Sequence, residues 1–506
     1  MAEPNNMMQQ PTVPQEQPLI PQREPWKVGD GERRLTRLSL VLTFLGVSFL
    51  RDWSWRILPG LGITVLTAAW YVVLFLYRGT DGMKRRVNQI LMGAAALLAL
   101  TFTLFSNQWF RFWNCEALVL LIAVHTWELC GGGQLAWDQA GMLFERLWLL
   151  VKGPFVRCGA LVDTLRAEKG GKSFSRSLPV LIGLAVTLPV LGIVTAVLMD
   201  ADAVFAMVAG DMLGKLDVSF TEFPIRLMLT VVLTPLCFSL FYFAAHTEQK
   251  PKAGKIRVGR NALPAVMLLG ALDALYVLFL AVQSAALFGD RSYLVKAGIS
   301  YAEYARSGFF QLAGLAGFNV AVVLAAVWLC REDRWLKVLS TGLMGLTAVL
   351  LVSAGWRMTL YVSAYGLSFK RCLTYWGMGM LAVLLALTVR KVWRREFRFF
   401  RAAAPIALAG WLLLNYANID GIAARYNAWQ VRRGNLSGSA VTALFSDLEG
   451  YDGFSTLAEA MDGADVQVLQ RIQRAGERAA EDCGSWVTWS LPAARAADGG
   501  HAVPPA

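Results

Sequence analysis

The sequence predicts an all-α fold: a polytopic transmembrane helical bundle of about eleven spans, with a small helical C-terminal domain outside the membrane. Three observations predict it. Only 17% of the 506 residues are charged, whereas soluble chains carry about a quarter. The composition is 56% hydrophobic, with a mean hydropathy of +0.46. Apolar runs approaching the ~20 residues that a membrane helix needs recur along most of the chain. Eighteen Trp agree, because indoles favour the membrane interface.

Residues 1–36 read as a disordered tail, since the first 26 hold six Pro and five Gln and no apolar cluster. Residues 37–417 form the multi-span domain. Its apolar runs fall at 38–50, 57–77, 87–105, 113–130, 178–199, 225–246, 262–287, 307–330, 337–356, 372–389 and 402–417. Counting Lys and Arg in alternate connections gives about 30 on the N-terminal side against about 10 on the other. The positive-inside rule then places the N-terminus in the cytoplasm and the C-terminus outside a plasma membrane. It also accounts for the net charge of +12 without a nucleic-acid partner.

Two connections stand out. The long inner loop 131–177 contains "FERLWLLVKGPFVRCGALVDTL", with Arg146, Lys152, Arg157 and Arg166 among apolar residues at helical spacing. That pattern predicts an amphipathic helix on the inner leaflet. It is either an ordinary interfacial linker or a contact for anionic lipid. The loop 200–224 is acidic and reads as a solvated outer loop. Residues 418–506, rich in Arg and lacking Lys, alternate helical pieces with Gly breakers and form the extramembrane helical domain.

Ser300 and Glu303 match the S-x-x-E capping box, so a helix is expected to start at 301 and run to 330. Glu303 and Arg306 share its first face, and Arg357 is a candidate outer-leaflet counterion to Glu303. Further along, Ala313, Gly317, Ala321 and Ala325 make a stripe expected to admit a neighbouring helix.

Ionisable and strongly polar residues inside spans are functional candidates, because burying them in hydrocarbon is costly. Asp273 is the deepest acid, with Tyr276 one turn on as its local partner. Asn319 lies near mid-membrane and should face protein. His125 and Glu128 share a face near the inner end of their span. No HExxH, Walker loop or GxSxG is present, and only three His occur. The seven Cys form no CxxC pair and read as buried or inert thiols. Nothing implies a cofactor, a metal, a catalytic residue or a defined protein partner.

Four stretches, "DADAVFA" at 200–206, "SYAEYARSGFFQL" at 300–312, "LYVSAYGLSFKR" at 360–371 and "NIDGIAARYNAWQ" at 418–430, together with "SWVTWSL" at 485–491, resemble a bacterial family of polytopic membrane proteins, domain-of-unknown-function family 4173, to which family 4153 is related. The resemblance covers 178–491. It departs from the pattern at Ala203 and Ile419, where Pro is usual, at Ser368, where Thr is usual, and at Ser307, where an acid is usual. It implies a bacterial membrane protein and carries over no functional residue. Three roles remain open: a non-enzymatic envelope component that senses or regulates, an ion-coupled permease, and an envelope enzyme acting on lipid-linked substrates.

Overall fold

A computed structural model describes residues 29–51, 59–130, 142–168, 218–246, 259–287, 309–435, 450–453, 466–484 and 487–500, with a few single residues between 187 and 207. Residues 1–28 of the N-terminal tail, most of the 178–199 run and of the 200–224 loop, and Ser300, Glu303, Arg306 and Ser307 lie outside them, while 30–36, expected in the tail, are helical.

Among the described residues the chain is helical and forms no strand. The helices are α1 (Asp30–Arg51), α2 (Leu61–Arg78), α3 (Arg86–Leu104), α4 (Gln108–Leu129), α5 (Met142–Val156), α6 (Cys158–Glu168), α7 (Val218–His246), α8 (Leu263–Leu287), α9 (Phe309–Leu329), α10 (Arg334–Tyr365), α11 (Phe369–Trp393), α12 (Phe399–Tyr416), α13 (Ile419–Arg432), α14 (Val466–Asp482) and α15 (Leu491–Gly500). Ten of the eleven apolar runs fall in these helices. Seven helices (α2, α3, α7, α8, α10, α11 and α12) are long and apolar enough to cross a membrane.

Their outward faces carry the apolar side chains that a bilayer would cover, such as Val72, Ile90, Leu278, Val282, Val352 and Leu413. Exposed apolar faces on helices of this length and composition suit a lipid environment. The protein is membrane-embedded.

Two groups of helices share the bundle. α1 to α4, α6 and α7 enclose Leu35, Leu74, Leu98, Phe102, Phe238 and Phe241. α8 to α11 enclose Leu269, Val323, Leu336 and Leu343. An aromatic seam joins α4, α11 and α12. Phe110 meets Phe369 edge-on at 5.2 Å, and Trp411 lies 5.9 Å from Phe110 and 5.8 Å from Trp376. Edge-to-face pairs of this kind add to simple area burial.

The turns are chemically specified. Asn107 caps α4 by accepting the Phe110 amide, and Asp333 caps α10 by accepting those of Trp335 and Leu336. Gly366 ends α10 at φ +77°, a left-handed conformation that a side chain resists. α10, at roughly 48 Å, exceeds the ~30 Å hydrocarbon core, so one end must project from it.

Two expectations change on contact with the structure. Among the described residues no helix packs on the small-residue stripe of α9: Gly317, Ala321 and Ala325 are exposed, while Ala316, Asn319, Val320, Val323 and Val327 face the bundle. The direction of α9 is set by Asn319, which needs polar partners; Ala and Gly make no comparable demand. The inner loop forms two helices, not one. Ser239 of α7 occupies their junction, donating to the Gly153 carbonyl at 2.6 Å and accepting the Arg157 amide at 2.9 Å. Trp148, Val151 and Phe155 remain exposed on α5.

Candidate functional site

The α2–α3 turn, the end of α4, the 330–333 turn and the 394–398 turn lie at one end of the bundle. The α3–α4 turn, the α10–α11 turn and the α12–α13 turn lie at the other. At this second end the C-terminal segments dock, and a polar cap results.

The cap is built on α4. Arg111 is 3% exposed, in the first turn of α4. Its Nη2 donates to the Phe102 and Phe105 carbonyls at 3.0 and 3.1 Å. These carbonyls belong to the last turn of α3 and the residue that follows it, where intrahelical donors run out. The guanidinium also meets the negative end of the α3 dipole. One turn on, Asn114 donates to Thr101 and to Asn415 and accepts from the Trp411 indole. Thus α3, α4 and α12 are tied together by amides, without net charge.

Onto this base the segment "GYDG", 450–453, lies close against backbone. A Cβ on Gly450 would stand 2.7 Å from the Asn107 nitrogen, and one on Gly453 would stand 2.7 Å from the Asp420 carbonyl oxygen. Asp452 accepts both the amide and the hydroxyl of Ser106, at 3.0 and 2.9 Å. The Ser106 oxygen in turn accepts the Tyr451 amide. Tyr451 donates its hydroxyl to Asp482 at 2.7 Å, at the end of α14. Asn107 donates to Asp420 at 2.8 Å, in the first turn of α13.

Burial pushes the carboxyls of Asp452 and Asp482 above the usual carboxylate range. Opposing this, Ser106 hydrogen-bonds Asp452 and Tyr451 hydrogen-bonds Asp482, and the positive charge of Arg111 acts on both. Burial likewise raises the Tyr451 phenol, reinforced by its bond to Asp482.

Two more junctions complete the cap. Residues 487–489 lie across the start of α2: the Gly60 and Gly62 amides donate to the Val487 carbonyl, and the Leu61 amide donates to that of Trp489. These satisfy amides that a helix N-terminus leaves open. Asn427 of α13 pairs with the backbone of Leu367, accepting its amide at 2.8 Å and donating to its carbonyl at 2.7 Å. Arg371 reaches the carbonyls of Tyr365 and Gly366 and lies 4.3 Å from the Tyr361 ring. So the stretches at 360–371 and 418–430, and residues 487–491 of the last motif, all sit in or beside the cap.

With this geometry, a family model decides the affiliation: the one described as a domain of unknown function, DUF4153, matches residues 92–448. The chain belongs to the DUF4153 family. The family that matches is 4153. It spans α3 to α13, so Arg111, Asp420 and Asn427 fall inside the DUF4153 region, while Asp452, Asp482 and the 487–489 segment lie beyond it. No curated protein and no solved structure matches the chain.

The intramembrane candidates divide. Asn319 is fully buried and donates to Tyr276 of α8 at 2.8 Å and to Thr347 of α10 at 2.9 Å. Tyr276 is therefore the partner of Asn319 and not of Asp273. Asp273 lies against Gly342 of α10, where a Cβ would meet its Oδ2 at 3.1 Å. Asp273 Oδ1 and Asn319 Oδ1 are buried without a hydrogen-bond partner among the described residues. His125 pairs through Nδ1 with the Tyr71 hydroxyl at 2.9 Å, a contact between α4 and α2. Glu128 is half-buried one turn further along α4. Arg357 lies in α10; its candidate partner Glu303, like Arg306, is outside the described residues. No group of three or more His, Cys, Asp or Glu able to hold a metal occurs among the described residues.

Sequence reasoning missed Arg111, Ser106, Asp452 and Asp482. The signals were slight: an Asn before a helix start, and two Gly spaced to bracket a Tyr-Asp pair.

Proposed function

We propose that this DUF4153 protein is a non-enzymatic envelope component that senses or regulates, with docking of its C-terminal segments on the bundle as the variable it reads. The observation carrying this reading is the convergence of Ser106, Asp452, Tyr451 and Asp482 beside Arg111. A contact made through buried charge and hydrogen bonds responds to anything that changes protonation or competes for donors. An apolar contact would not. Orientation follows the charge: Arg78, Lys84, Arg85, Arg390, Arg394 and Arg395 gather at the end opposite the cap. That supports a bacterial plasma-membrane protein with a cytoplasmic N-terminus and an outer cap. Kinship to family 4173 is part of the same proposal and rests on the five motifs.

The test replaces residues 436–506 with an unrelated helical domain in a strain lacking the native chain. Loss of the envelope phenotype with the bundle still inserted is expected. Full complementation by the replaced chain would sink the reading.

A second reading, an ion-coupled permease, is favoured by the orphaned oxygens of Asp273 and Asn319. Proteoliposome flux unaltered by Asp273→Asn would count against it.

A further inference from the structure

At the basic end, opposite the cap, a cavity of 460 Å³ is lined by Glu332, Arg390, Arg394, Arg395, Glu396 and Phe397. Its walls are held in place. Arg395 donates to the Cys330 carbonyl at 2.7 Å and pairs with Glu332 at 3.5 Å. Lys337 takes the other Glu332 oxygen at 3.1 Å. Lys391 ties down the turn by donating to the carbonyls of Arg395 and Phe397. The 330–333 and 394–398 turns are thus pinned together, and Glu332 already serves two cations.

That leaves Arg390 and Arg394. Arg390 lies in the last turn of α11 and Arg394 is the residue that ends it, its amide bonded to the Arg390 carbonyl, and both line the cavity. Both are exposed. Arg390 has its guanidinium 5.0 Å over the Phe397 ring, which fixes its position without neutralising it. Neither has an ion-pair partner among the described residues. Like charges at this spacing repel, so two guanidiniums facing one cavity are most stable with an anion between them. Planar guanidiniums suit phosphate oxygens, which they bind in bidentate fashion. The depth is marked by Trp393, 56% exposed, whose indole donates to Thr341, and by exposed Phe400 at the start of α12. Indoles at such positions sit at headgroup level.

We propose that this cavity binds the phosphate of an anionic membrane phospholipid, held by Arg390 and Arg394, with acyl chains alongside Trp393 and Phe400. Among the described residues Glu396 is the lining acid without a cation partner, and it sets the affinity by opposing the anion. The site is separate from the cap and from the 142–168 helices.

The experiment uses the purified full chain in mild detergent. Retained dioleoyl-phosphatidylglycerol is counted by native mass spectrometry against dioleoyl-phosphatidylcholine, with inorganic phosphate added in a parallel arm. The wild type should retain the anionic lipid in preference. Arg390→Gln with Arg394→Gln should weaken retention on the order of 30-fold, at about tenfold per 1.4 kcal/mol and ~1 kcal/mol per basic residue near a charged surface. Glu396→Gln should strengthen it. Arg86→Gln, at the same end but away from the cavity, should leave it unchanged. The double Lys variant keeps the charge and loses the fork, and should retain an intermediate amount, which guards against misfolding of the Gln pair. Equal retention of both lipids would overturn the proposal, as would an Arg86→Gln effect matching that of the double variant. Displacement of the lipid by millimolar inorganic phosphate would also overturn it, by assigning the phosphate site to a soluble ester.

Discussion

Replacing Asn427 by Ala removes the side chain that pairs with both backbone groups of Leu367. The bonds are 2.8 and 2.7 Å long, and Asn427 is 3% exposed. Each neutral bond contributes about 0.5–1.5 kcal/mol net, and stranding a backbone group away from water costs about 1–3 kcal/mol. Leu367 is half-buried, so water recovers part of that cost, and the expected loss is about 2–4 kcal/mol. Leu367 also follows Gly366, whose left-handed φ directs the chain from α10 into α11, so the loss should loosen that turn. Equilibrium unfolding of the purified protein in mixed micelles reads the change. A second variant separates the two bonds. Asn427→Asp keeps the acceptor for the Leu367 amide but sets a carboxylate oxygen against the Leu367 carbonyl. It should be at least as destabilising at neutral pH and should recover on acidification, when the carboxyl regains a donor. An Ala loss below about 0.5 kcal/mol, or an Asp variant indifferent to pH, would refute the claim that this pairing holds α13 to the bundle.

Four further outcomes are expected. Gly60→Ala would place a Cβ 2.1 Å from the Trp489 carbonyl oxygen, and should free residues 487–490 to protease at a cost of about 1–3 kcal/mol; Gly93→Ala, with nothing within 4 Å, should instead stabilise by up to about 1 kcal/mol. Asp452 and Asp482 are raised in the docked state, so that state holds protons more tightly than the undocked one. Docking should therefore tighten as pH falls from neutral towards the carboxylate range and weaken as it rises, seen as hydrogen-exchange protection of 466–484, with Asp452→Asn flattening the response. Asp273→Leu should raise stability by about 1–3 kcal/mol, since a mid-membrane acid costs ~2.5–3.5 kcal/mol to insert; no gain would mean that Asp273 has a partner. His125→Phe keeps the ring but loses the Tyr71 hydrogen bond and should cost about 1 kcal/mol in unfolding, with no change if that bond is not made.

The helices were legible because lipid imposes a simple demand for long apolar runs: ten of the eleven expected runs are helical, and seven helices among the described residues are long and apolar enough to cross a membrane. The placement of Asn319 was legible for a related reason, since an amide in hydrocarbon must turn inward. The α9 stripe was misread because small residues permit an approach without requiring one. Arg111 was hidden because its sequence neighbours do not show that the last carbonyls of α3 lie beside it. Asp452 and Asp482 were hidden because their partners are distant: Ser106 is 346 residues from Asp452. Such pairings depend on which helix ends meet, and hydropathy carries no information about that.

The two ends of the bundle solve the same problem with different chemistry, and the difference bears on function. At the cap, Asn107, Asn114, Asn415 and Asn427 each join two segments of chain. An amide offers both donors and an acceptor, so it can close a buried junction without a net charge to solvate. Such a junction can be sealed, and the few charges placed in it (Arg111, Asp420, Asp452 and Asp482) then act in a medium that screens them poorly. At the opposite end the polar groups are mostly Arg, Lys and Glu, exposed and unequal in number. Charges of that kind stay hydrated or take a counterion, so an open cavity there is the expected consequence. A change of protonation at Asp452 acts on Ser106 and the Asn107 amide, the link between α3 and α4, and these two helices run the length of the bundle to the basic turns.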